Sequence, residues 1–352
     1  LKQWLWVFQL GSALSNTALQ MLAKDRCLNA TYPDLSPEAS QQKAMTDFFM
    51  TYNLILRLVP IVPALLLARG GVTAAGGVSS CSWWSSSVMM KVELLYGTAG
   101  VVGSLASGHM FLVYSSSLGN GIILLTVSVL LRLLCLLQSV VLLQVRGSPQ
   151  PEDTSRLLPD ASGEAPPEAP AERNRVNVVL LVATALLYGA AVGGAMEILD
   201  VFVLKEPLSW SATEVGYGNA AGSLIFLTSF FGVMVFRRCV SDAALILMGM
   251  LSFASGIYFM SFVRTTSMFY LARSLNLFAL IPMPTIRSLL SQQVPASSCG
   301  TTLTYLQMAL KLSGLAYIPA FTKIYQRTLD WFPGFVFTLA SSVTVLGMIP
   351  IR

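Results

Sequence analysis

Ten apolar stretches lie on both sides of a single polar linker at 146–175. Each is close to the ~20 residues that an α-helix needs to cross a bilayer. They fall near 3–23, 46–69, 93–113, 120–145, 176–203, 213–236, 242–263, 267–291, 301–322 and 332–351. A chain with so much apolar length is expected to be an all-α, polytopic membrane protein. Its composition agrees, with 54% hydrophobic and 11% charged residues, where a soluble domain carries roughly 25% charged. A soluble enzyme of this length is therefore not expected.

Charge sets the orientation. The basic residues Arg146, Arg156, Arg173, Arg175, Arg237, Arg238 and Arg352 sit at span ends or in the linker. The net charge of +5 thus reads as a cytoplasmic positive-inside bias and not as a nucleic-acid footprint. Asn29-Ala30-Thr31 is a glycosylation sequon, which makes Asn29 a modification candidate and puts 24–45 outside. The segment 152–172 is too rich in Pro and Glu to order itself and reads as a flexible cytoplasmic loop. Three regions result: an N-terminal bundle at 1–145, the linker, and a six-span C-terminal bundle at 176–352. Residues 70–91 are rich in Gly and Ser with no Leu or Ile, and the orientation holds only if they do not cross. The five cysteines, Cys27, Cys81, Cys135, Cys239 and Cys299, show neither zinc nor disulfide-framework spacing, and His109 is the single histidine.

A charge within hydrocarbon costs ~2.5–3.5 kcal/mol on insertion scales and persists where it has a job or a partner. The charges in or beside the spans are Arg57, Glu93, Arg132, Glu197, Asp200, Arg287 and Lys311. Glu197 and Asp200 project from one helix face, with Gly193 and Gly194 a turn earlier for close packing or solute. Glu197 is a candidate proton or cation site, or else an outer-end carboxylate in water. Pro282 and Pro284 interrupt the helix before Arg287, whose planar fork suits carboxylate or phosphate, unless it snorkels to headgroups. Lys311 and Arg57 lie near span midpoints and would favour an anionic solute if they face a cavity; Gln307 could hydrogen-bond Lys311. For Arg132, pairing inside the bundle is the expectation, and for His109 an interfacial place. Gly216-Tyr217-Gly218 follows no strand and has no phosphate-binding Lys, so it starts a span with Tyr217 lining the outer vestibule. Arg237 to Asp242 form a basic turn consistent with a gate or with topology alone.

More specific wording comes from the second half. Glu197-Ile-Leu-Asp-Val-Phe-Val-Leu-Lys-Glu-Pro-Leu-Ser-Trp210, Val215-Gly-Tyr-Gly-Asn-Ala-Ala-Gly222, Leu227-Thr-Ser-Phe-Phe-Gly232, Phe278-Ala-Leu-Ile-Pro282, Thr285-Ile-Arg-Ser288 and Lys323-Ile-Tyr-Gln326 resemble solute carrier family 46. That is the family of the proton-coupled folate transporter and the thymic stromal cotransporter, and the wording is nearest the thymic stromal branch. In the first half, Asn53 to Pro60 is similar to the family's second span, and Gly97 to His109 to its fifth. About one and a half spans between them have no counterpart. The resemblance implies the major facilitator fold, proton coupling at Glu93 and Glu197, and anion binding at Arg287. Glu93 has the alternative of a solvated helix end beside Lys91. Val192 stands where the folate member has a histidine, and Ser209 where it has a loop cysteine, so Cys27 is expected to be free.

The function expected is proton-coupled import of an organic anion such as a folate-like compound, a muropeptide or a cyclic dinucleotide, by alternating access. Substrate contacts are expected from Arg287, Lys311, Arg57 and Tyr217. The alternative is a non-transporting membrane scaffold. An intramembrane enzyme lacks any paired Asp, HExxH or Ser/His constellation. No cofactor is expected beyond protons as the coupling ion. The expected partners are a small organic anion and membrane lipid, with no nucleic acid, for a monomer or weak homo-oligomer. The expected location is the plasma membrane, with the endolysosomal membrane as the alternative.

Overall fold

The computed structural model describes residues 2–28, 30, 32, 36–69, 86–113, 117–146, 171–205, 207–236 and 238–351. Every regular element among them is helical. The helices are α1 (Lys2–Cys27), α2 (Pro37–Arg69), α3 (Ser86–Val113), α4 (Ser117–Arg146), α5 (Ala171–Phe202), α6 (Ala212–Phe236), α7 (Asp242–Met260), α8 (Thr266–Leu275), α9 (Pro282–Gln293), α10 (Ala296–Thr328) and α11 (Phe335–Met348). Three stretches, Val176–Phe202, Ala212–Phe236 and Asp242–Met260, are long and apolar enough over the described residues to cross a membrane. On α4, Ile122, Ile123, Leu130, Leu133, Leu134 and Leu137 are each 48–63% exposed. An aliphatic face turned outward suits lipid and would be a liability in water.

Short polar connections start the helices. Ser211 and Glu214 form a reciprocal capping box ahead of α6: the carboxylate accepts from Ser211 N at 2.9 Å and the hydroxyl from Glu214 N at 3.5 Å. Ser241 caps α7 and Thr265 caps α8 in the simpler way, each accepting from the amide three residues on. α3 and α5 begin at Ser86 and Ala171, ahead of the expected 93 and 176. Residues such as Met89, Met90 and Lys91, or Ala171, Glu172 and Arg173, extend a helix without adding bilayer length. Segments 70–85 and 147–170, and the sequon residue Asn29, lie outside the described residues. Cys299 is disulfide-bonded, whereas Cys27 and Cys239 are free. One bridge needs only close Cβ atoms, which sequence spacing does not reveal.

The stretch 267–291, expected as one span interrupted by Pro282 and Pro284, is two helices, with 276–281 between α8 and α9. Pro282 and Pro284 have no N–H and pre-set the first turn of α9. Neighbouring hydroxyls take the backbone groups that the break frees. Leu277 O accepts from Thr228 Oγ1 at 2.7 Å and Ser229 Oγ at 3.1 Å, and Leu280 N donates to Ser229 Oγ at 3.3 Å. Ser252 Oγ donates to Leu275 O at 2.6 Å and accepts from Phe278 N at 3.3 Å, while Tyr188 OH donates to Ala279 O. A broken helix is stable at membrane depth only when its polar groups are satisfied in this way.

The two halves, α1–α4 and α5–α11, meet along two seams, α3 against α6 and α2 against α10. At the first seam the helices touch backbone to backbone. A Cβ on Gly216 would stand 2.8 Å from Gly108 Cα and 2.9 Å from Ser104 O. Nothing flexible can yield there, so Gly216→Val is expected to force the seam open at ~1–3 kcal/mol or more. Gly11→Ala, whose Cβ would meet nothing nearer than 3.4 Å, serves as the control. Thermal unfolding and size-exclusion profiles in detergent check this, and equal stability of the two variants would show a loose seam.

The second seam is polar. Lys323 Nζ pairs with Asp47 Oδ1 at 3.3 Å, and Gln326 Nε2 donates to Thr46 Oγ1 and to Asp47 Oδ1, each at 2.8 Å. These contacts lie at the end called outer by the orientation expected from the sequence. Lys24 Nζ also reaches Trp210 O there, at 3.2 Å. Nearby Lys205 donates to Leu329 O at 3.2 Å; burial pushes its ammonium below the usual lysine value, against the influence of Asp330 and Glu38. The two halves are therefore also joined at the end that carries Asp47 and Lys323.

Candidate functional site

About three turns further along α2 from Asp47, an ion pair crosses between the halves. Arg57 Nη2 on α2 stands 3.3 Å from Glu197 Oε1 on α5, with the two side chains 28% and 18% exposed. Asn53, one helical turn before Arg57 on the same face, donates to the other carboxylate oxygen. The guanidinium also lies over the Tyr317 ring of α10 at 5.2 Å. Gly314 makes room, because a Cβ there would come 2.7 Å from Arg57 Cδ. Three helices thus hold one carboxylate, with both oxygens engaged by donors from the opposite half.

One turn outward, Asp200 is the second acid. Gln20 of α1 and Arg273 of α8 both lie within electrostatic reach of it. Gln20 is 2% and Arg273 is 9% exposed. The break after α8 angles this short helix so that its cation faces α5.

Further inward, Arg287 on α9 meets Gln307 on α10. With the amide turned to satisfy both its ends, Gln307 accepts from Arg287 Nε at 3.1 Å and Nη2 at 3.0 Å. Gln307 was expected beside Lys311 and instead serves the arginine. Lys311 is exposed and shares an α10 face with Gln307 and Gly314, which puts it between the Arg287 and Arg57 levels. Arg287, Lys311 and Arg57 therefore make a basic ladder approaching Glu197.

Other expected site residues lie elsewhere. Tyr217, 42% exposed, contacts His109 across the α3–α6 seam at 3.2 Å, away from the Glu197 group. Arg132 Nη2 donates to Ser15 Oγ at 2.7 Å, a pairing inside the bundle. The Glu93 side chain lies outside the described residues, although its backbone belongs to α3. Gly193 and Gly194 accommodate the Tyr317 and Phe321 rings, so they serve helix packing.

Asn53, Tyr317 and Gln20 were missed as site residues. For Asn53 the i, i+4 relation to Arg57 was a usable signal. The other two are uncharged residues whose role depends on which helix faces which.

No protein-family model matches the chain. Solute carrier family 46 member 2 of dog is 35% identical over 91% of this chain and 82% of its own length. The mouse protein of the same name is 33% identical over 89% and 81%. The dog alignment runs over 396 residues, more than the 352 here, so that relative has stretches with no counterpart in this chain. The human lysosomal proton-coupled steroid conjugate and bile acid symporter SLC46A3 is 34% identical over 56% of this chain and 41% of its own length. Among solved structures, the human organic anion transporter MFSD10 (TETRAN) is 14% identical with a TM-score of 0.47, over 99% of this chain and 83% of that one.

Proposed function

Because the chain belongs to solute carrier family 46, a family of membrane transporters, we propose that it is a proton-coupled symporter importing a small organic anion. The observation that carries this reading is the Arg57–Glu197 pair, an acid and a base shared between the two halves. A solute anion arriving at Arg57 competes with Glu197 for the guanidinium. Glu197 then holds a buried charge without its partner, and taking a proton relieves that cost. Anion and proton load together, and the bond joining α2 to α5 is released. The halves are then able to rock about the seams, as alternating access in a major facilitator fold requires.

The ladder of Arg287, Lys311 and Arg57 supports an anionic solute. Folate-like compounds, muropeptides and cyclic dinucleotides are candidates, and the name of the human relative adds steroid conjugates and bile acids. That relative's lysosomal description supports an endolysosomal membrane alongside the plasma membrane. The second reading, a non-transporting membrane protein, draws on the stretches of the dog relative that this chain lacks.

The test is uptake of labelled folate, a muropeptide and a bile acid at about pH 5.5 and about pH 7.4 in cells expressing the chain. Acid-stimulated uptake is expected, reduced about tenfold in Glu197→Gln with its pH dependence flattened. No uptake of any probe despite confirmed membrane expression would favour the non-transporting reading.

A further inference from the structure

We infer that Arg273 and Asn219 form a seat for the anionic head of the solute, a carboxylate, sulfate or sulfonate on an apolar body, with Asp200 as the internal counter-charge between cycles. The inference rests on the reading of the chain as an anion carrier.

Arg273 is 9% exposed, yet its one hydrogen-bond acceptor among the described residues is the Met196 thioether at 3.8 Å. Sulfur is a weak acceptor. Its Nε is buried with no partner, and among the described residues no carboxylate oxygen lies within 4.0 Å. A structural ion pair would close to hydrogen-bond distance. Here the guanidinium is desolvated and its donors are largely unspent, a costly arrangement that an anionic ligand would relieve.

A second buried donor lies on the α6 face that meets Arg273. Asn219 Nδ2 on α6 is buried and unpartnered, and Gly222, one turn further along, brings the α6 backbone to the guanidinium. A Cβ at Gly222 would stand 3.4 Å from Arg273 Nη2. A planar fork plus an amide donor matches a two-oxygen anion. The surroundings are apolar: Phe269 lies 5.3 Å from the guanidinium carbon and packs on Trp210 at 4.5 Å between centroids. That setting favours an anion attached to a hydrophobic body over a small inorganic ion.

Asp200 competes for the seat. The charges that reach it are Glu197 on its own helix and Arg273 on α8, with the Gln20 amide of α1 beside it. Among the helices packed on α5, α11 carries no titratable residue and α9 only Arg287, while α2 brings Arg57 to Glu197 and α10 brings Tyr317. Protonating Asp200 frees the arginine for the solute, so anion affinity falls as pH rises.

The experiment measures binding of a steroid sulfate to the purified full chain by thermal shift, in parallel with uptake in cells. Wild type is expected to be stabilised, and Arg273→Gln to bind about tenfold or more weakly. Asn219→Leu, which alters no charge, is expected to bind several-fold more weakly, so the inference does not rest on one variant that could misfold. Asp200→Asn is expected to bind with little pH dependence. Wild-type binding without uptake would sink the transport reading and leave the seat standing. Uptake with an unchanged KM in Arg273→Gln, or no wild-type binding, would overturn the seat.

Discussion

Arg57→Leu is expected to destabilise the folded chain by ~3–5 kcal/mol and to abolish uptake, because it strips Glu197 of its only ion-pair partner among the described residues while leaving the carboxylate buried. The loss should fall toward the lower end of that range, since the Asn53 hydrogen bond to the other oxygen remains. The double variant Arg57→Leu/Glu197→Leu removes both charges and is expected to recover most of the stability without recovering uptake. That split separates folding from function. Thermal unfolding in detergent gives the first quantity and proton-driven uptake the second. If the double variant were as unstable as the single one, the damage would come from lost packing of Arg57 against Tyr317 and Gly314, and the pair would have no special electrostatic weight.

Arg57 and Glu197 were each visible in the sequence as charges inside apolar stretches, and the all-α membrane class followed from hydropathy alone. Their partnership was not visible. Glu197 had two neighbours in the sequence that could have claimed it, Asp200 and the glycine pair, and nothing in a linear pattern says that α2 crosses α5 at Asn53 and Arg57. Arg273 shows the same limit more strongly. It shares its span with Arg287, and the interruption expected from Pro282 and Pro284 carries no information about the angle between the two pieces. The break at 276–281 turns α8 away from α9, so the two arginines serve different levels of the path. Pro282 and Pro284 mark the break in the sequence, but hydropathy does not show that it begins at 276, because Leu277, Phe278, Leu280 and Ile281 are as apolar as a helix core. The informative residues were the hydroxyls elsewhere, Thr228, Ser229 and Ser252, whose purpose shows only once their backbone partners are known.

Those hydroxyls give the second large effect. Thr228→Val/Ser229→Ala is expected to cost ~2–4 kcal/mol, because Leu277 O loses both of its donors and Leu280 N its acceptor in a setting where water does not replace them. Individual interhelical hydrogen bonds in membranes are worth only ~0.6–2 kcal/mol, so either single variant alone is expected to be mild. Thr228→Val leaves Ser229 on Leu277 O, and Ser229→Ala leaves Thr228 there. The double variant should therefore lose more than the sum of the singles, and that excess is the diagnostic. Thermal unfolding of the four proteins in one detergent measures it as a double-mutant cycle. Function should follow the same pattern. Once the break relaxes, α8 is no longer held at its angle, Arg273 moves from α5 and α6, and steroid sulfate binding should weaken in the double variant before the chain unfolds. Additive stability changes with unaltered binding would mean that the 276–281 segment holds its shape without these hydroxyls, leaving Tyr188 and Ser252 as its remaining supports.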